Sequence, residues 1–247
     1  MQDIQSGRDF MKADFGRGSE RPSDQQRGVP YPALQKGAEE GDILELPPAD
    51  SEVISKPNFF TVLKERQSRR KYTKRGLNMD ELSFLLYCTQ GVKEEIRRGY
   101  ATKRTVPSAG ARHPFETYLA VNRIESLNPG LYRYLPLSHQ LLSLGAEKDL
   151  PQQLTAANLG QRFVGDAACV FIWSCIPYRA EWRYGSRAHK NMLLDAGHIC
   201  QNLYLAVEAI GAGTCAIGAY DQELMDELLD LDGEDEYVVY LAPVGKP

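Results

Sequence analysis

Residues 188–218, AHKNMLLDAGHICQNLYLAVEAIGAGTCAIG, decide how the chain is organised. Met192, Ala196, Ile199, Leu203, Val207 and Ile210 recur at three- and four-residue steps, which predicts a helix over 188–210. Leu193, Cys200, Leu205 and Ala206 widen that stripe until most of the circumference is apolar, the pattern of a buried helix. Its length is about 35 Å at ~1.5 Å per residue, roughly the width of a small domain. Asp195, His198, Gln201 and Asn202 make it too polar to span a bilayer. Gly211-Ala-Gly213 stops the helix, and Thr214 to Gly218 continues as a short extended piece. Its small residues allow a flat group to approach the backbone.

Working outward, the chain of 247 residues fits one domain with an N-terminal arm. A net charge of −4 and 43% apolar residues describe an ordinary globular protein and argue against a general binder of nucleic acid or anionic membranes. No N-terminal apolar run resembles a signal peptide, and no window is apolar enough to cross a membrane. Five scattered cysteines, odd in number, favour reduced thiols and a cytoplasmic setting. Neither they nor the four histidines show metal-ligand spacing, so no metal site is expected.

Residues 1–55 are rich in Gly, Pro and charge and lack an apolar period, which predicts an extended, partly disordered arm. Within it, Asp42 to Leu46 is apolar enough to lie against the body or a partner chain. Helices are expected from Asn58 and Asn78, each a good N-cap, and over 150–157, 177–184 and 221–229. Residues 93–105 look like an exposed charged loop. Strands are expected at 116–122, 130–135, 140–144 and 237–242. The continuous apolar run 167–175 suits a central strand covered on both faces. Helices surround one sheet without βαβ alternation, so the fold class is α+β.

Four motifs bear on chemistry. Arg66, Ser68 and Arg70 alternate after the first helix, so an extended chain would turn two guanidinium groups and a hydroxyl to one side. That is a phosphate clamp in kind, though a solvated basic run has the same composition. Pro107-Ser-Ala-Gly110 offers rigid backbone and a hydroxyl before a strand, as a connecting loop also would. Gly211-Ala-Gly213-Thr-Cys-Ala216 matches G-x-G-x-x-A, but follows a helix and opens a strand, the wrong context for dinucleotide pyrophosphate. Ser108, His113 and Glu116, or Cys200 with His198, could be drawn as catalytic groups, yet no nucleophile elbow supports them. Asp195, His198 and Asn202 share a helix face and suit a satisfied polar network.

Together with Tyr72, His113-Pro114, Glu116, Gly130-Leu-Tyr-Arg-Tyr134, Trp182-Arg-Tyr-Gly185, Asp195-Ala-Gly-His198 with Gln201-Asn-Leu-Tyr-Leu-Ala206, and Pro243-Val-Gly-Lys246, these motifs resemble, in order, the FMN-dependent nitroreductase superfamily. The likeness covers about 55–247 and is nearest to the SagB-type branch, which includes thiazoline and oxazoline oxidases. It implies an α+β fold with a mostly antiparallel sheet and a homodimer built on the long central helix, with FMN at the interface. By that likeness Arg66, Ser68 and Arg70 would hold the FMN phosphate and ribityl chain, and Pro107, Ser108, Ala109 and Gly110 one edge of the isoalloxazine. Ala216, Ile217 and Gly218 would give backbone contacts near flavin N5, and Lys246 would reach the phosphate. The implied activity is ping-pong hydride transfer, with NAD(P)H reducing a nitro- or quinone-like acceptor, or with a peptide azoline oxidised. The alternative is a non-catalytic flavin- or phosphate-binding module. The azoline oxidases often carry Lys before the tyrosine at 184, where Arg183 stands here. Arg stays protonated and cannot be a general base at neutral pH; Tyr184 could act in proton transfer, or serve only as a packing or gating aromatic.

Overall fold

The structure is a computed structural model, and it describes residues 2–12, 21–38, 41–97 and 99–247. From the N-terminus run α1 (Gln2–Phe10), β1 (Ile43–Glu45), α2 (Phe59–Glu65) and α3 (Met79–Gln90). A hairpin of β2 (Val92–Ile96) and β3 (Ala101–Arg104) follows, then β4 (Phe115–Val121), β5 (Gly130–Leu135) and β6 (Gln140–Gly145). Next come α4 (Leu150–Ala157), α5 (Arg162–Gly165) and β7 (Cys169–Cys175). Then α6 (Tyr178–Tyr184) leads into α7 (Ala188–Ala209), and β8 (Gly213–Thr214), α8 (Gln222–Leu228) and β9 (Tyr237–Gly245) complete the order.

Seven strands form one sheet in the order β1-β6-β5-β4-β7-β9-β8, with every pairing antiparallel. β7 lies between β4 and β9 and is buried along its whole length, as its unbroken apolar run requires. Alternate residues divide between two cores. Phe115, Leu119, Phe171 and Trp173 pack with α3 and α7, while Tyr118, Ala120, Val170 and Ile172 pack with α4, α5 and α8. The α+β architecture read from the sequence is the one observed.

Local chemistry starts the helices where the sequence places them. The Asn58 side chain accepts the Thr61 N–H, and Asn78 and Glu81 form a reciprocal capping box. Asp221 caps α8 through the Leu224 N–H. Two expectations need correction. Most of the stretch expected as a loop at 93–105 is instead the paired strands β2 and β3, residue 98 lying outside those described; β2 is charged and mostly exposed, so no apolar alternation marks it. And α7 is not buried all round: Leu193 and Leu194 are each 53% exposed, and Gly197, His198 and Gln201 lie on the same outer side.

The expectation for residues 1–55 falls in part on residues 1, 13–20 and 39–40, outside those described. Among the rest, 21–38 forms a strap held by polar contacts. Gln25 N–H bonds the Trp182 carbonyl, Trp182 Nε1 donates to the Val29 carbonyl, and Arg104 donates to that of Leu34. Lys36 reaches Glu236 at 2.6 Å. Asp42 to Leu46 lies against the body, where β1 extends the sheet beside β6.

Candidate functional site

The chain leaving α2 is extended and bridges to β8: Ser68 pairs with Thr214, and the Arg69 N–H donates to the Thr214 carbonyl at 2.9 Å. In such a segment successive side chains point to opposite sides. Arg69 turns inward, where Nη2 meets the buried Glu208 carboxylate at 3.2 Å. Arg66 and Ser68 turn to Tyr204: the Arg66 guanidinium lies 5.1 Å from the ring centre, and the Ser68 hydroxyl lies 2.9 Å from the phenol oxygen. That oxygen also accepts the Ala216 N–H at 2.8 Å. Thus Arg66, Ser68 and Ala216 are brought together through Tyr204. Arg70 is exposed nearby, and neither Arg66 nor Arg70 has an ion-pair partner among the described residues.

The second group lies elsewhere on α7. Ser108 begins a 3-10 turn, Ala109–Ala111, whose Ala109 N–H donates to the Asp195 carboxylate at 3.2 and 3.3 Å. The Ser108 hydroxyl accepts the His113 N–H at 2.9 Å. Gly110, Ala111 and His113 all have positive φ (61°, 54° and 44°), and the turn presses on α6. A methyl group added at Gly110 would stand 2.6 Å from the Tyr184 hydroxyl and 2.9 Å from Arg183 Cδ, so only glycine fits. The Arg183 guanidinium lies 5.5 Å from the Tyr184 ring centre. Burial raises the Asp195 pKa, against the Ser108 and Ala109 hydrogen bonds and nearby His198. Burial, followed by the Arg104 charge, lowers the His113 pKa to about 3. His113 Nε2 bonds the Thr102 carbonyl and Glu116 binds Arg179, so no Ser–His–Glu relay forms.

The two groups do not share one pocket within a chain. Asp195 and Tyr204 are nine residues apart on α7, which is about 13 Å along the axis and about half a rotation around it. Lys246 joins neither group. Its ammonium meets Glu81 at 2.5 Å and the Ile210 carbonyl at 3.0 Å, closing the C-terminus of α7. Ile217 bridges Leu241, and Gly218 is exposed with open space where a Cβ would stand.

Residues 63–246 match the family described as the nitroreductase family. The chain belongs to the nitroreductase family. It is 34% identical over 206 residues to MJ1384 of Methanocaldococcus jannaschii, which carries a nitroreductase name; the match covers 83% of this chain and 98% of that protein. It is 22% identical over 196 residues to the microcin B17-processing protein McbC of Escherichia coli, covering 74% and 71%. A crystal structure titled as a nitroreductase from Ralstonia eutropha superposes with a TM-score of 0.68 at 26% identity, covering 88% of this chain and 93% of that one. A chain of the E. coli microcin synthetase McbBCD complex with truncated pro-MccB17 bound shares the fold, with a TM-score of 0.62 at 19% identity over 100% and 93%.

The chain is therefore a nitroreductase-family oxidoreductase, of a family that generally uses a flavin. The Arg66 group fits a phosphorylated flavin on its own chemistry: two guanidinium groups without carboxylates flank a hydroxyl, beside backbone lined by small residues. Sequence reasoning missed Tyr204, the hub of that group. Its signal is its place in the family-like run Gln201–Ala206, to which no site role was given. Arg112 and Tyr100, which pack behind Gly110 and Tyr184, were missed as well, because they lie in the stretches read as loops.

Proposed function

We propose that this nitroreductase is a homodimeric, FMN-dependent oxidoreductase of the SagB-like branch. The observation that carries the reading is the pair Arg66 and Arg70, without an ion-pair partner among the described residues, on either side of Ser68 in a segment held in extended form against β8. Bound FMN would supply hydride transfer at N5. Arg66 and Arg70 would bind its phosphate and Ser68 its ribityl chain. Ala216, Ile217 and Gly218 would lie along the ring, with the Ala216 N–H released by Tyr204 or shared with it. Pro107, Ser108, Ala109 and Gly110 would close the ring's other side from the second copy, which accounts for two half-sites on different faces of one helix. Lys246 would reach the phosphate only by leaving Glu81 and Ile210.

Tyr184, whose hydroxyl faces Gly110, would hold or pass the proton that accompanies substrate oxidation or reduction. Arg183 beside it remains charged and would act on electrostatics alone. Similarity to MJ1384 supports reduction of nitro- or quinone-like acceptors with NAD(P)H; similarity to McbC supports oxidation of a peptide azoline.

The purified protein is expected to be yellow and to hold one FMN per chain, and Arg66→Ala to lower that occupancy about tenfold in FMN affinity while the circular dichroism spectrum is kept. Protein that neither contains flavin nor binds added FMN overturns the reading, and normal flavin content in the variant removes Arg66 from the site. In anaerobic stopped-flow, bleaching of the flavin by NADH, NADPH or an azoline peptide marks an enzyme. Bound flavin that none of these donors reduces marks a binding module.

A further inference from the structure

Three guanidinium groups converge on one phenol. Arg112 and Arg97 lie 5.5 and 5.9 Å from the Tyr100 ring centre, and Arg183 Nη1 donates to its hydroxyl at 3.4 Å. Arg112 also lies 5.1 Å from the Trp182 ring centre. It is 1% exposed, and its Nε and Nη1 have no acceptor. None of the three has a carboxylate within ion-pair distance among the described residues. The acids close by are engaged elsewhere. Asp24 holds Arg27 and the Tyr178 hydroxyl, Glu181 holds His189, and Glu116 holds Arg179. Aromatic faces stabilise a cation but do not neutralise it. The result is a positive focus, buried at Arg112, half-buried at Arg183 and exposed at Arg97, that attracts an anion.

Through Arg183 alone the focus reaches a cavity of about 620 Å³ between the strap at Arg21–Arg27 and the end of α6, whose wall holds Arg21, Arg27 and Arg187, the carboxylates of Asp24 and Glu181, and Arg183 and Tyr184. Gly110 touches both of those side chains from the other side. We propose that this cavity receives an oxyanion of the substrate, a carboxylate or a phosphate, with Arg183 as the contacting clamp and Arg97 and Arg112 as the charges behind it. The planar guanidinium of Arg183 offers the bidentate donation that suits an oxyanion. The inference rests on the flavin reading only in placing the reactive centre beside Gly110 and Tyr184.

The test compares ligand pairs that differ in one anionic group, by calorimetry on the purified full chain and by KM where turnover occurs. For the carboxylate the pair is 4-nitrobenzoate and 4-nitrobenzyl alcohol; for the phosphate it is NADPH and NADH. Arg183→Gln is expected to shift the anionic-to-neutral ratio of Kd at least tenfold against the anion in one pair, and that pair names the source. Arg183→Lys should restore most of the ratio, and Arg97→Gln, at an exposed position, should shift it in the same sense. The wild-type preference should weaken with added salt. Ratios that stay constant in both pairs overturn the proposal, as does a loss that falls equally on the anionic and neutral members. The flavin reading fails separately, by absence of FMN, and these binding ratios are measurable in either case.

Discussion

His113, whose N–H bonds Ser108, shows how one residue beside the Ser108–Gly110 turn ties the site to stability. It is 5% exposed, adopts φ of 44°, and bonds Thr102 through Nε2. Burial, with the Arg104 charge next, lowers its pKa to about 3. The unfolded imidazole takes a proton below about pH 6.5, while the folded one stays neutral down to about pH 3. Below pH 6.5 the unfolded state therefore binds more protons, and stability falls as pH falls through that window, by up to ~1.4 kcal/mol per unit for this one group. His139, also depressed by burial, acts in the same sense. Urea unfolding at pH 7, 6 and 5 should show His113→Asn losing less stability on acidification than the wild type; asparagine is chosen because it tolerates the left-handed backbone. Equal slopes for the two proteins would remove His113 from the acid response.

At the scale of an element, α7 ends where a helix should receive cations, and it does. Glu208 sits there 2% exposed, an unfavourable charge by itself, and it is offset by Lys56 at 2.5 Å and Arg69 at 3.2 Å. Removing the carboxylate leaves Arg69 without an ion-pair partner among the described residues, while Lys56 keeps Glu65 at 2.8 Å. Glu208→Ala should cost about 2–3 kcal/mol, somewhat below the ~3–5 kcal/mol typical of fully buried pairs because Lys56 and Arg69 keep part of their hydration. Chemical denaturation measures this, and a cycle with Arg69→Ala should show coupling near 1 kcal/mol. A cost within ~0.5 kcal/mol of zero would mean that the pairing contributes nothing. The same helix shows what the sequence discloses. Its apolar period, the caps at Asn58, Asn78 and Asp221, and the strand at 169–175 are local signals, and local signals are legible. So was the alternation of Arg66, Ser68 and Arg70, because an extended chain sorts side chains by parity. Tyr204 as a hub, the unpaired Arg112, and the strap at 21–38 were not legible. Each depends on which distant segment folds against it: Ala216 for Tyr204, Trp182 for Arg112, and Glu236 for Lys36. The hairpin β2–β3 was hidden by charge on its exposed faces.

At the scale of the whole molecule, the apolar girdle of α7 exceeds what one sheet covers. Met192, Ile199 and Leu203 point into the core, while Leu193 and Leu194 stand outside it with Gly197, whose missing Cβ would meet nothing within 4 Å. Phe59, Phe60 and Leu63 of α2 are exposed as well. An outward row of two leucines and a glycine one turn later suits close approach of a second helix, and nitroreductases are typically homodimers. The split of the candidate site over opposite faces of α7 points the same way, since a second copy could set its Ser108–Gly110 turn beside the Arg66 group. Burying one leucine contributes about 1.5–3 kcal/mol, and a two-fold axis would count each substitution twice. Leu193→Asp should therefore weaken dimerisation by at least 100-fold in Kd, which is about 2.7 kcal/mol. Sedimentation velocity should show monomer at micromolar concentration. FMN should be lost with it, although residue 193 belongs to neither half-site. Leu194→Asp should behave alike, whereas Leu144→Asp, on exposed β6, should leave both dimer and flavin in place. A monomeric Leu193→Asp protein that keeps full flavin would show that one chain completes the site by itself, and a dimer that survives both α7 substitutions would place the interface on another surface.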